Sequence, residues 1–128
     1  MAKKRQRRSW SLEFYQDALK RLPVQQWLDG LREDIRGRLL ANIQLLAEHG
    51  PTLDFPHTSQ IEGKLRELRA QIDGQNYRVL YFFDERRVGI LLHGFIKTTA
   101  AVPEADRRMA VARMTDHINR LHAKKRGK

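Results

Sequence analysis

The sequence predicts a single α+β domain, in which helices cover a small, mostly antiparallel sheet. One observation is a run of three β-type segments, about residues 65–72, 77–83 and 88–96, which short turns separate. Another is the stretch before them, where apolar residues recur at gaps of three and four, as in a helix that packs one face onto a core. A chain of 128 residues accommodates one domain with a real core, but not two.

The three β-type segments predict a meander at the centre of the fold. The second and third are nearly unbroken runs of β-branched and aromatic residues, which is typical of strands that are covered on both faces. Gly74 and Asn76 lie in the first turn, and both residue types adopt positive φ at little cost. We therefore expect a hairpin there and a second tight turn at residues 84–87.

The remaining elements are predicted around this meander. Alternating apolar residues predict a first strand over residues 9–15, paired with the sheet or its edge. The apolar stripe predicts a short helix over 24–31 and a longer one over 34–48, which Gly50 and Pro51 end. Residues 51–63 are predicted to be a loop. A final helix is predicted over 104–122, after Pro103.

The net charge of +10 lies mostly in two short segments. Residues 1–8 hold five Lys/Arg and residues 124–128 hold four, with no acidic residue in either segment. The rest of the chain is nearly balanced, with sixteen basic and fifteen acidic residues. We expect a domain over residues 9–122 with basic tails at 1–8 and 123–128, which either are solvated or act as electrostatic arms for nucleic acid.

Composition also argues against several classes of protein. The absence of cysteine excludes a disulfide framework and a thiolate metal site. No histidine pair or acidic cluster has metal-ligand spacing, so no metal site is predicted. We expect no membrane span and no signal peptide, and hence a cytoplasmic protein.

Cationic side chains in the meander are the candidate functional residues. Arg69 shares a strand face with Glu67, and His93 shares one with Lys97. A buried, unpaired Arg78 would be too costly, so it either pairs with a carboxylate or is directed into a cleft. Several cations on one sheet favour a cleft for a polyanion.

The order of these segments resembles the RelE/ParE toxin superfamily, and more closely its phage-derived Gp49-like, HigB-type branch. The resemblance extends from Trp10 to Arg120. It lies in PVQQWLDGL, LLAEHG, KLRELR, YRVLYFF, LLHGFIKTT and the basic helix after Pro103. Thr98 stands where the branch often has a second lysine. The resemblance implies a RelE-like fold.

The resemblance also implies a toxin that cleaves mRNA on the ribosome and that a helix-turn-helix antitoxin neutralises. Arg69, Arg78, His93 and Lys97 would then be catalytic, and the chemistry would need no cofactor. We expect further RNA contacts from Lys64, Arg66, Tyr77 and Arg113.

In such a reaction the 2′-hydroxyl attacks the adjacent phosphate, which requires cations around the phosphorane and groups that transfer protons. The sequence shows no evident histidine–carboxylate pair, so we expect the ribosome to position the substrate. Two alternatives remain open: a ParE-like poison of DNA gyrase, and a non-catalytic protein that binds RNA or ribosomes.

Overall fold

A computed structural model describes residues 9–127 and contains five strands and three α-helices, which confirms the predicted α+β class and RelE-like arrangement. The elements in chain order are β1 (Leu12–Phe14), α1 (Pro23–Asp29), α2 (Glu33–His49), β2 (Thr58–Glu62), β3 (Leu65–Ile72), β4 (Gln75–Phe83), β5 (Gly89–Lys97) and α3 (Glu104–Arg126). A short 3₁₀ turn, Gly50–Thr52, follows α2.

The five strands form one sheet in the order β1-β5-β4-β3-β2. The segment β2–β5 is antiparallel throughout, and β1 adds to its edge in parallel with β5. Gly74 has a φ of 80°, which glycine adopts without the strain of a side chain, and the β3–β4 hairpin turns there. The predicted meander is confirmed almost to the residue.

Each face of the sheet has its own apolar core. On one face, Leu68, Val79, Tyr81 and Leu91 pack under α1 and α2. On the other face, strand residues that include Leu80 pack under α3. Helix α3 reaches the sheet through Ala110, which is fully buried, and through the partly buried stripe of Val111, Met114 and Ile118.

The prediction of a loop over residues 51–63 is wrong, because Thr58–Glu62 forms strand β2. This strand pairs with β3, and a register shift interrupts the ladder between Gln60 and Glu62. It lies at an edge and carries one large apolar residue, Ile61, so it lacks the alternation that marked the other strands.

The chain termini differ from the predicted tails in one respect. Helix α3 continues to Arg126, so most of the basic C-terminal segment is helical. The predicted N-terminal tail, residues 1–8, lies outside the described residues. No helix between residues 9 and 127 is both long enough and apolar enough to cross a membrane.

Candidate nucleic-acid interface

Three cationic side chains lie together on the sheet face that α3 covers only in part. Arg69 and Arg78 are directly opposite each other in the β3–β4 register, and Lys97 pairs with Asn76 in the next ladder. Directly opposite residues point to the same face, and so do residues two apart on one strand. Lys97 is therefore a diagonal neighbour of Arg78, with Cα atoms about 7–8 Å apart.

A cavity of about 260 Å³ opens at this position, and its lining includes Phe55, Pro56, Arg69, Asn76 and Arg78. We call this cavity, together with Lys97 at its border, the basic cleft. Phe55 is 70% exposed and lies under the guanidinium of Arg69, whose Cζ is 5.2 Å from the ring centroid. An exposed aromatic ring beside two guanidinium groups can stack with a nucleobase.

Glu67 lies beneath the two arginines. Its Oε1 is 3.2 Å from Nε of Arg78, and its Oε2 is 3.9 Å from Nε of Arg69. The hydroxyl of Ser59 on β2 donates a hydrogen bond of 2.6 Å to Oε2, which fixes the carboxylate. The pairing of Arg78 with Glu67 is one of the two alternatives that the sequence left open.

The electrostatics of the basic cleft favour an anion. Arg78 is only 4% exposed, and this burial lowers the pKa of its guanidinium below the ordinary value. The negative charge of Glu67 opposes that change in pKa, and the positive charge of Arg69 adds to it. Between residues 9 and 127, no carboxylate lies within 4.0 Å of Lys97. One carboxylate thus faces three cations, and the site keeps excess positive charge.

His93 lies next to the basic cleft on the same face. Its ring stacks on Phe95, at 5.6 Å between centroids, and Phe95 is directly opposite Arg78. Nε2 is 2.6 Å from a carboxylate oxygen of Asp106 on α3, so the proton lies on Nε2 and is donated to Asp106. Nδ1 then accepts from Arg113 at 3.5 Å. Both ring nitrogens are engaged.

The inference that the chain lacks a histidine–carboxylate pair is wrong. His93 pairs with Asp106, and His117 on α3 pairs with the buried Asp84 at 2.9 Å. The first pair joins α3 to β5, and the second joins α3 to the residue that follows β4. Sequence spacing carried no signal for these contacts, because only the docking of α3 brings the partners together.

Two of the predicted RNA contacts lie on the opposite face of the sheet. Tyr77 is 7% exposed and packs in the core, with its ring 6.5 Å from that of Trp27. Arg66 is directly opposite the buried Tyr81 and donates a hydrogen bond of 2.9 Å to Thr58. Strand alternation places both residues away from Arg69, so neither lines the basic cleft.

The other two predicted contacts lie on the periphery. Lys64 is exposed in the turn between β2 and β3. Arg113 on α3 donates a hydrogen bond of 2.8 Å to the carbonyl of Leu92, and burial lowers the pKa of its guanidinium. Arg113 therefore supports His93 and the backbone of β5.

Among residues 9–127, no group of three or more His, Asp or Glu side chains could hold a metal ion.

A comparison with protein families agrees with the fold. The profile of the family described as "Phage derived protein Gp49-like (DUF891)" matches residues 26–115, which is most of the chain. The protein therefore belongs to the phage-derived Gp49-like family, as its motifs predicted.

The chain is also similar to a curated protein whose name includes a function. The protein named "Putative toxin HigB2" from Mycobacterium tuberculosis is 32% identical over 74 residues, which cover 54% of this chain. The chain covers 37% of that protein's length.

Proposed function

We propose that this protein is the toxin of a toxin–antitoxin pair and acts as a ribosome-dependent mRNA interferase in the cytoplasm. The observation that carries the proposal is the basic cleft, where Arg69 and Arg78 face each other beside Lys97 and share one carboxylate. Family membership and the name of the mycobacterial relative support the toxin assignment. The expected partner is an antitoxin with a helix-turn-helix fold.

The proposed chemistry is attack of a 2′-hydroxyl on the adjacent phosphate, which expels the 5′-oxygen of the next nucleotide. Guanidinium forks of Arg69 and Arg78 bind the non-bridging phosphate oxygens, because their planar donors match two oxygens at once. Lys97 neutralises the charge that develops on the phosphorane. In the alternative role, the uncharged amine of Lys97 is the candidate base that accepts the proton of the 2′-hydroxyl.

His93 is the candidate for proton transfer to the leaving oxygen. Its Nε2–H is directed at Asp106, so transfer to RNA requires that hydrogen bond to be exchanged for one to the substrate. The same contact also fits a purely positioning role, in which Asp106 holds the ring against Phe95. Replacement of His93 by alanine, with the pH dependence of cleavage as readout, distinguishes the two roles.

The first test is cleavage of a translated mRNA by purified protein and ribosomes. Lys97→Ala should lower the rate by at least about a hundredfold, as expected when a charge-stabilising group is lost from a transition state. Since this variant breaks no ion pair, it should keep the wild-type unfolding midpoint. Lys20→Ala, the matched control, removes an exposed cation outside the basic cleft and should cleave normally.

Three outcomes would contradict the proposal. Cleavage by Lys97→Ala at the wild-type rate would exclude the basic cleft as the catalytic site. Rapid cleavage of naked RNA would contradict dependence on the ribosome. Double-strand breaks in DNA without truncated mRNA would instead identify a poison of DNA gyrase.

A further inference from the structure

The fold brings Trp10 and the C-terminal end of α3 to the end of the molecule where the β4–β5 turn lies. Lys125, near the end of α3, is 2.8 Å from Glu85 in that turn. At the other terminus, Trp10 lies 4.9 Å under the guanidinium of Arg87, also in the turn. We call the surface of Arg86, Arg87, Lys124, Lys125 and Arg126 the basic pole.

Several cations of the basic pole are not neutralised. Arg87, Lys124 and Arg126 are exposed, and no carboxylate among residues 9–127 lies within 4.0 Å of them. Arg86 and Lys125, by contrast, pair with Asp84 and Glu85. A polar cavity of about 200 Å³ opens beside the pole between α3 and β1. Its lining includes Arg86, Arg120 and Lys124, together with Glu13.

The basic pole and the basic cleft lie at opposite ends of β4. Phe83, the last residue of β4, is five positions beyond Arg78, which corresponds to about 17 Å along the strand. A side chain of the basic pole therefore cannot contact a phosphate group that is bound in the basic cleft. The pole can hold RNA without taking part in the chemistry proposed for the cleft.

We propose that the basic pole is a second RNA-binding surface, which contacts the phosphate backbone without reading its sequence. Cations that lack a partner release counterions from a polyanion when they bind it, and this release provides affinity independent of sequence. A membrane surface fits less well, because stable anchoring by a basic surface also needs apolar insertion. The exposed large apolar side chains of the described residues belong to other segments: Leu19, Leu40, Phe55, Ile96 and Met109.

The test measures binding of a fluorescein-labelled RNA hairpin by anisotropy, between about 50 and 200 mM salt. All proteins carry Lys97→Ala, which weakens the basic cleft equally in every sample and prevents residual cleavage. The pole variant adds Arg87→Gln, Lys124→Gln and Arg126→Gln, which break no ion pair with a described carboxylate. The control adds Lys20→Asn, Arg21→Gln and Arg38→Gln, which remove the same charge from exposed residues elsewhere and also break two surface ion pairs, Arg21–Asp17 and Arg38–Asp73. Exposed pairs of this kind contribute little to stability.

The pole variant should bind roughly ten- to a hundredfold more weakly at low salt. Its slope of log affinity against log salt should be shallower by about 2 to 3, since each lost phosphate contact removes about 0.7–0.9. The control should keep the slope of the parent. Equal slopes for the pole variant and the control would overturn the proposal.

Two further measurements test the proposal independently of the salt dependence. On the parent protein, bound RNA should protect Lys124 and Lys125 from acetylation, and unprotected lysines would overturn the proposal without any variant. Binding to vesicles with anionic phospholipid should not depend on the pole. Loss of vesicle binding in the pole variant, with RNA binding unchanged, would assign the surface to a membrane and also overturn it. Neither readout depends on RNA cleavage.

Discussion

At the scale of single residues, the basic cleft depends on how Glu67 balances two arginines. Like charges at directly opposite strand positions destabilise a sheet, and Arg69 and Arg78 occupy such positions. The carboxylate of Glu67 offsets this repulsion, and Ser59 holds it in place. The carboxylate thus stabilises the two arginines at neighbouring positions. Because one carboxylate cannot neutralise two guanidinium groups, a net positive charge remains and attracts a phosphate.

Asp84 is the residue for which the structure gives a clear pH dependence. Its side chain is nearly inaccessible, and burial by itself raises the pKa of the carboxyl. Hydrogen bonds from Arg86, His117 and the backbone of Val88 outweigh burial, so the pKa lies below its ordinary value. The folded protein thus holds this carboxylate charged more strongly than the unfolded chain does.

We expect Asp84→Asn to lower the free energy of unfolding at pH 7 by about 1.5–3 kcal/mol, the range for hydrogen bonds to a charged group. A lowered folded pKa stabilises above the unfolded value of about 3.9, and this contribution is lost as pH falls through the folded pKa. The difference between wild type and variant should therefore shrink below about pH 4.

Urea denaturation at a series of pH values measures this difference. Asp29→Asn is the control, because Asp29 is exposed at the end of α1, and it should change the free energy by less than about 0.5 kcal/mol. A difference for Asp84→Asn that stays constant down to about pH 3 would contradict the assignment of the pKa.

At the scale of elements, α1 docks on the sheet through one close contact. Trp27 packs over Gly94 of β5, and a Cβ at Gly94 would lie 2.2 Å from a ring carbon of Trp27. The glycine in the HGF motif thus provides room for the indole. Trp27 is partly buried and packs against the core under α1 and α2.

We predict that Gly94→Ala lowers the free energy of unfolding by roughly 1–3 kcal/mol, because the indole must shift out of a well-packed position. Gly37→Ala is the control, since nothing lies within 4 Å of a Cβ at that position in α2. It should raise the free energy by up to about 1 kcal/mol, as alanine favours a helix over glycine. Urea denaturation measures both, and equal effects would contradict the close contact.

The sequence predicted the meander and the helices well because each carries a strong local pattern. Strand β3 was predicted at its observed bounds, and α2 within a residue at each end. Strand β2 was missed because an edge strand is defined by its partner rather than by its own residues. The last turn of α3 was also missed, because charged residues past the apolar stripe resemble a tail.

At the scale of the whole molecule, helices on both faces leave one part of the sheet open, and the basic cleft forms there. Strand alternation alone predicted that Arg69 shares a face with Glu67, and His93 with Lys97. It could not predict Asp106, which reaches His93 only because α3 folds back over the sheet. Nor could it predict Phe55, which belongs to a loop without a periodic pattern.

The most direct measurement for the central proposal is a map of mRNA 5′ ends in cells, set against ribosome positions, after expression of the wild type or Lys97→Ala. Catalysis in the basic cleft predicts new 5′ ends confined to translated regions and in register with the reading frame. The Lys97→Ala variant should give none, although it remains folded. Equal numbers of ends in untranslated regions, or the same ends from the variant, would contradict the proposal.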